Sequence, residues 1–349
     1  MLTIGPVRLD VPLAQAALSG YSDLAMRRIA RHLGAPYALH EVVLDRLVTQ
    51  PGKLQRRLLQ VEPDDHPLGG QLLGSEPEQF AAAAALLAES GFDVIDLNFG
   101  CPVRKVLGRC RGGFLLSEPA TAIEIIRRVR AAVAPEKPVT LKLRRGLDDS
   151  RESECNFFRI FDAALALGLA AITVHARTVR QRYLGRSDWP FLARVKRYAG
   201  ERIVLGSGDL FTAPDVVDML AQTGVDGVTI ARGCIGNPWI FGEVRALLAG
   251  QPVPAPPTVA EQGRVIRQHF DLAVSLYGDQ KAARVMRKFG IKYSELHPNG
   301  PDVRGAFLRA ATRDDWLALL DEWYGATRPW PPGRRKTGPG ALIAAGARE

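Results

Sequence analysis

Short apolar runs closed by turns alternate with stretches of helical periodicity over the first two thirds of the chain. The first run, Leu13 to Leu18, leads through Ser19-Gly20-Tyr21-Ser22-Asp23 into a helix over Leu24 to Leu33, with Ser22 or Asp23 as its cap. Tyr37 to Val43 predicts a second strand, and residues 44–65 read as a long, irregular, charged loop. His66 to Gly74 predicts a third strand, followed by an Ala-rich helix from Pro77 to Ser90. Strands at 93–98, 139–143, 171–175, 203–206 and 227–230 then alternate with helices at 119–134, 153–167, 188–198, 212–222 and from Pro238. Eight strand–helix units in about 245 residues predict an α/β fold, a closed (β/α)8 TIM barrel. No Gly-x-Gly-x-x-Gly follows a strand, which argues against a dinucleotide-binding doubly wound sheet.

The pattern changes at Gly250-Gln251-Pro252-Val253-Pro254-Ala255-Pro256-Pro257. Residues 1–249 are therefore read as the barrel and 250–258 as a Pro-rich linker. Helical periodicity at 259–277, 279–295, 302–312 and 314–323 makes 259–325 a small all-helical C-terminal domain, and 326–349 reads as a disordered basic tail. No apolar run is long enough to span a membrane, and the N-terminus has neither the basic start nor the apolar core of a signal peptide, so the chain is expected in the cytoplasm, without a membrane partner. Four cysteines without a Cys-x-x-Cys pair argue against a metal and against a disulfide framework. A formal charge of +9 suits a polyanionic partner such as nucleic acid.

Chemistry in such a barrel belongs just past the C-terminal strand ends. Those positions hold Gln71, Asn98, Cys101, Lys142, His175, Ser207-Gly208-Asp209 and Ala231-Arg232-Gly233. Cys101 stands on a turn rich in structure breakers, Asn98-Phe99-Gly100-Cys101-Pro102. The last two strand ends carry glycines, whose backbone N–H groups can approach a phosphate, and Arg232 adds a guanidinium fork. Lys142 and Gln71 put a cation and an amide over the barrel mouth, which suits the pyrimidine edge of a flavin.

The run Asp96-Leu97-Asn98-Phe99-Gly100-Cys101-Pro102 with Lys105-Val106, then Gly112-Gly113-Phe114-Leu115-Leu116, closely resembles the signature of the tRNA-dihydrouridine synthases. Lys142-Leu143-Arg144-Arg145-Gly146, His175-Ala176-Arg177-Thr178, Gly208-Asp209, and Arg232-Gly233 with Asn237-Pro238-Trp239-Ile240-Phe241 follow in the family's order, and the resemblance is nearest the bacterial B-type branch. It implies an FMN-type barrel, NADPH or NADH as reductant, and reduction of the C5–C6 bond of specific uridines in tRNA. Hydride would pass from reduced FMN N5 to C6, and Cys101 would protonate C5 as general acid. FMN contacts are expected from Ala17, Leu18, Ser19, Gln71, Lys142, His175, Ser207, Gly208, Asp209, Ala231, Arg232 and Gly233. Asn98 would hold the uracil edge, and Arg177 would contact uracil or the flavin phosphate.

RNA contact is expected from Arg104 and Lys105 beside the Cys turn and from Arg284, Arg287 and Lys288 in the helical domain. Residues 281–313 carry eight basic side chains against two acidic ones, and spacings of three, one and four put most of Arg284, Arg287, Lys288 and Lys292 on one helical face. The expected assembly is a monomer. Three departures from the family pattern stand out. Ala16-Ala17-Leu18-Ser19-Gly20 replaces Ala-Pro-Met-Ala-Gly, Ser207 replaces Asn, and Arg111 and Phe114 stand where small residues are usual. They keep two rivals open, a degenerate, flavin-poor RNA-binding protein and an FMN barrel acting on a free pyrimidine, as a dihydroorotate dehydrogenase does.

Overall fold

A computed structural model describes residues 1–325 and 329–337. The strands are β1 (Leu2–Ile4), β2 (Val7–Leu9), β3 (Leu13–Gln15), β4 (Ala38–Leu39), β5 (Val43–Leu44), β6 (Leu68–Leu73), β7 (Val94–Phe99), β8 (Val139–Arg144), β9 (Ala171–His175), β10 (Val204–Ser207) and β11 (Gly227–Ile230). Eight of them close a parallel barrel in the order β3-β4-β6-β7-β8-β9-β10-β11, with β11 returning to β3 and β5 added beside β6. The (β/α)8 TIM barrel expected from the apolar rhythm is present, with helices between its strands and a helical C-terminal region.

The single strand expected over Tyr37 to Val43 is split into β4 and β5, and two further stretches differ from the sequence reading. The N-terminus forms an antiparallel hairpin, β1–β2, turning at Gly5 with φ +58°. Its Leu2, Ile4 and Leu9 pack with Ala14, Tyr37, Leu39, Val94, Ala171 and Leu205 in one buried cluster. Strands of three residues give too short an alternation to stand out in the sequence. Second, the supposed irregular loop 44–65 contains helices Asp45–Thr49 and Lys53–Leu58. The second helix buries no residue, so it leaves no apolar periodicity to read.

The chain divides into two compact units. The first comprises 1–20, 36–209 and 218–230 and contains the barrel sheet; the second comprises 21–35, 210–217 and the described residues from 231 onward. In the second unit, helices Val259–Tyr277, Asp279–Tyr293, Gly300–Arg309 and Arg313–Tyr324 pack around Trp316, which stacks on Phe270 at 4.8 Å and donates from its indole to the Ala283 carbonyl at 3.1 Å. Capping boxes at Thr258 and Thr312 start the first and last of these helices. The tail expected to be disordered is placed over 329–337, where Gly333 is buried; residues 326–328 and 338–349 of that tail lie outside the described residues. No helix among the described residues is long and apolar enough to cross a membrane.

Candidate active site

Parallel register stacks polar side chains inside the barrel. Gln71, Asp96 and Thr140 are cross-strand neighbours on β6, β7 and β8; one layer up come Asn98, Lys142 and Thr173; the next holds Arg144, His175 and Ser207. Alternation along each strand puts these residues on one side and leaves Ile95, Leu97, Phe99, Leu141, Leu143, Ile172 and Val174 for the buried apolar side.

A directional relay runs through the first layer into the second. Thr140 Oγ1 donates to Asp96 Oδ1 at 2.6 Å, and Gln71 Nε2 donates to Asp96 Oδ2 at 2.6 Å. Asn98 Nδ2 donates to Gln71 Oε1 at 2.7 Å, and the Gly100 N–H donates to Asn98 Oδ1 at 3.0 Å. The two acceptor oxygens of Asp96 thus set which way both amides face, and the chain ends on the backbone of the Cys turn. Burial raises the Asp96 carboxyl above its usual range despite the bonds from Thr140 and Gln71 and the nearby Lys142.

Lys142 is half-buried, and its ammonium has no hydrogen-bond partner among the described residues. Burial, reinforced by the Arg144 charge, lowers it to about 8, while Asp96 and Cys101 pull the other way. A void of about 20 Å³ lies between Lys142, Gln71, Asp96, Thr173 and the hairpin residue Ile4. That is room for roughly one water and none for a ring system. The partnerless ammonium is what an electron-rich flavin edge would answer, so the residues present fit a flavin at the mouth.

Cys101 is half-buried, and burial pushes its thiol above the ordinary 9.0, against smaller opposing effects from the Val103 backbone and the Arg144 and Lys142 charges. It therefore stays protonated at neutral pH. Its turn is held from two sides. Gly112, at φ +59°, lies so close that an added Cβ would sit 2.8 Å from Cys101 Cβ, and the Gly113 N–H donates to the Cys101 carbonyl at 3.0 Å. From the other side Arg144, 2% exposed, donates from Nε to Gly100 O at 2.9 Å and from Nη1 to Thr178 O at 2.9 Å and Arg182 O at 2.7 Å.

Arg177 is buried as well. Its Nη2 meets both carboxylate oxygens of Asp209, at 2.6 and 2.8 Å, and Gly185 O at 2.5 Å, while Nε donates to Leu184 O at 3.2 Å. Its Nη1 lies 3.4 Å from His175 Nε2, a contact that favours the His175 tautomer with its proton on Nδ1. The Asp209 carboxylate also accepts from the Ser187 N–H at 2.7 Å. Both charged groups are thus engaged in fixing the loop after β9, which leaves Asp209 its backbone for a ligand.

Several of the other expected residues follow barrel strands, and the basic ones lie on helices. Ala17 and Leu18 are half-buried and Ser19 exposed just past β3. Gly208 follows β10 at φ +114°, where a Cβ would lie 2.4 Å from Ser187 Oγ. Ala231 follows β11, and the short 3-10 turn Arg232–Cys234 opens the second unit, with Arg232 over the Phe211 ring at 5.0 Å. Arg104 and Lys105 are exposed on the one-turn helix Arg104–Leu107. In the second unit Arg284 is exposed, Arg287 is half-exposed, and Lys288 lies 4.9 Å over the Tyr21 ring.

The sequence reading missed Asp96, Thr140 and Arg144 as site residues. A signal was present: polar residues at every second position, Asp96 and Asn98 on β7 and Thr140, Lys142 and Arg144 on β8, break otherwise apolar strands. Attention to strand ends alone passed over it.

Comparison with known proteins gives a consistent result. The family model described as "Dihydrouridine synthase (Dus)" matches residues 14–324. A protein named "Probable tRNA-dihydrouridine synthase" from Mycobacterium tuberculosis is 37% identical over 339 residues, covering 95% of this chain and 86% of the relative. "tRNA-dihydrouridine synthase B" from Xanthomonas axonopodis pv. citri is 33% identical over 329 residues, covering 93% of this chain and 96% of the relative. Among solved structures, histamine dehydrogenase from Rhizobium aligns with a TM-score of 0.55 at 15% identity, over 78% of this chain and 50% of its own length. A 2-naphthoyl-CoA reductase aligns with a TM-score of 0.58 at 12% identity, over 92% of this chain and 69% of its own. At such identities these two likenesses speak for the barrel fold alone. Family signature, extent of match and curated relatives agree: this chain belongs to the dihydrouridine synthase family of oxidoreductases.

Proposed function

We propose that this chain is a flavin-dependent tRNA-dihydrouridine synthase that uses bound FMN and NADPH or NADH to reduce the C5–C6 double bond of uridines in tRNA. The observation that carries the reading is the Cys101 thiol, kept protonated by burial on a rim turn whose backbone is fixed by Arg144, Gly113 and Asn98. When bound, reduced FMN supplies the hydride that adds to C6. As negative charge builds at C5, Cys101 Sγ–H gives its proton there, and the thiolate left behind is reprotonated from solvent. Lys142 offers the positive charge that favours an electron-rich ring, and His175 and Gln71 supply further polar contacts on that side. Asn98 keeps one amide N–H beyond its bond to Gln71 for the uracil edge. Arg177 orients His175 and Asp209.

Backbone groups at Ala17, Leu18 and Ser19, at Ser207, Gly208 and Asp209, and at Ala231, Arg232 and Gly233 are proposed as the remaining FMN contacts. Residues 1–249 would be the catalytic domain, 250–258 a linker and 259–325 the RNA-binding domain, with Arg104, Lys105, Arg284, Arg287 and Lys288 meeting phosphates. A stacked uridine hides its face, so the target base must be flipped out to be reduced. Such an enzyme works in the cytoplasm, and we assign it as a monomer without metal.

Cys101→Ala tests the chemistry directly. The variant should keep its flavin bands and its oxidation of NADPH while dihydrouridine formation falls by ~10²-fold or more, the usual worth of a positioned acid. Undiminished dihydrouridine formation removes Cys101 as the donor. A purified chain that is colourless but still binds tRNA supports the flavin-poor rival, and turnover of free uracil or orotate supports the other.

A further inference from the structure

Residues 329–337 follow the stretch matched by the family, 14–324, and are laid along the second unit as an extended strap. Trp330 stacks on Trp323 at 6.0 Å and meets His297 edge-on at 4.7 Å. The Arg334 N–H donates to Leu296 O at 2.7 Å, and Gly333 sits where a Cβ would be 2.1 Å from Pro257 O. Arg335 pairs with Glu243 at 3.1 Å. The strap thereby delivers Lys336, 9% exposed, to the turn that follows β11: its Nζ donates to Ile235 O at 2.7 Å and to Arg232 O at 3.2 Å. Glu295 Oε2, at 3.9 Å, is the nearest carboxylate.

A peptide group is planar and trans, so its C=O and N–H point in opposite directions. With the Arg232 carbonyl turned to Lys336, the N–H of the same peptide, that of Gly233, faces the other way. Donation from an ammonium to the carbonyl also polarises the peptide and makes that N–H a stronger donor. Gly233 is packed against the Leu210 backbone, where a Cβ would lie 2.1 Å from Leu210 O. Lys336 therefore joins the Ile235 N–H, which donates to the same carbonyl at 3.3 Å, in holding the direction of that N–H, and its charge strengthens it as a donor.

We propose that Lys336 is a positioning residue for FMN: by holding the Arg232–Gly233 peptide it aims the Gly233 N–H at the flavin phosphate. This rests on the reading of the Ala231–Gly233 turn as a phosphate contact. It assigns to a strap outside the family's matched region a part in cofactor selection.

The test uses the full chain stripped of flavin, titrated with FMN and with riboflavin, which lacks the phosphate, and followed by flavin fluorescence. The wild type should bind FMN more tightly than riboflavin. Lys336→Met should weaken FMN binding about tenfold, the scale of a charge-assisted hydrogen bond, with riboflavin binding unchanged. Lys336→Arg should restore most of the FMN affinity. If Lys336→Met folds poorly, Lys336→Gln takes its place in the same comparison. Unchanged FMN affinity, or equal losses for both ligands, overturns the proposal while leaving the turn as a phosphate contact. A wild type that binds FMN no better than riboflavin overturns the reading of that turn, and the role of Lys336 with it.

Discussion

At the scale of single residues, environment separates the roles proposed for Cys101 and Lys142. The Cys101 thiol is raised above 9.0 by burial, so it remains a donor through the neutral range and loses its proton only at alkaline pH. The Lys142 ammonium is lowered to about 8 by burial and by Arg144, so its charge is present below that pH and disappears as pH rises through it. If Lys142 supports the flavin, flavin reduction by NADPH, a step in which Cys101 takes no part, should slow as pH rises through about 8. Lys142→Met should be slow at every pH and lack that inflection, which stopped-flow bleaching of the flavin band would show. An inflection near 8 that survives in Lys142→Met must belong to another group.

At the scale of elements, the Cys turn is rigid because segments distant in sequence grip it. Gly112 supplies one grip through a left-handed conformation and a contact that leaves no space for a methyl group. Gly112→Ala should therefore cost about 1–3 kcal/mol of stability in a chemical denaturation curve. It should also lower dihydrouridine formation with flavin binding intact. A variant as stable and active as the wild type would mean that the turn tolerates displacement. This grip also marks what was legible in the sequence. The barrel rhythm, the Cys turn and the polar strand ends could be read locally, because period-two strands, helix caps and turn residues are local signals. The relay from Thr140 through Asp96 and Gln71 to Asn98 could not, because it depends on the register between β6, β7 and β8. The same holds for Arg177, whose fork reaches Asp209 across thirty-two positions of chain, and for the strap, whose anchors Leu296, Glu243 and Arg232 are far from it in sequence.

For the whole molecule, the proposed contact with tRNA phosphates rests on a formal charge of +9 and on the basic segment 281–313. Charge reversal at Arg284 and Arg287, one exposed and one half-exposed, should weaken tRNA binding and flatten its salt dependence by about one unit of log–log slope per lost contact. Flavin content should be unaffected. An unchanged slope would remove this helix from the RNA contact. Every strand of the account meets in one reaction, in which purified chain, NADPH and unmodified tRNA are combined and dihydrouridine is counted by mass spectrometry of the digested RNA. A gain of 2 Da, roughly the mass of one added hydride and one added proton, is expected at defined uridines of tRNA, and none on free uridine. A flavin-loaded protein that oxidises NADPH yet leaves tRNA uridines unchanged would contradict it.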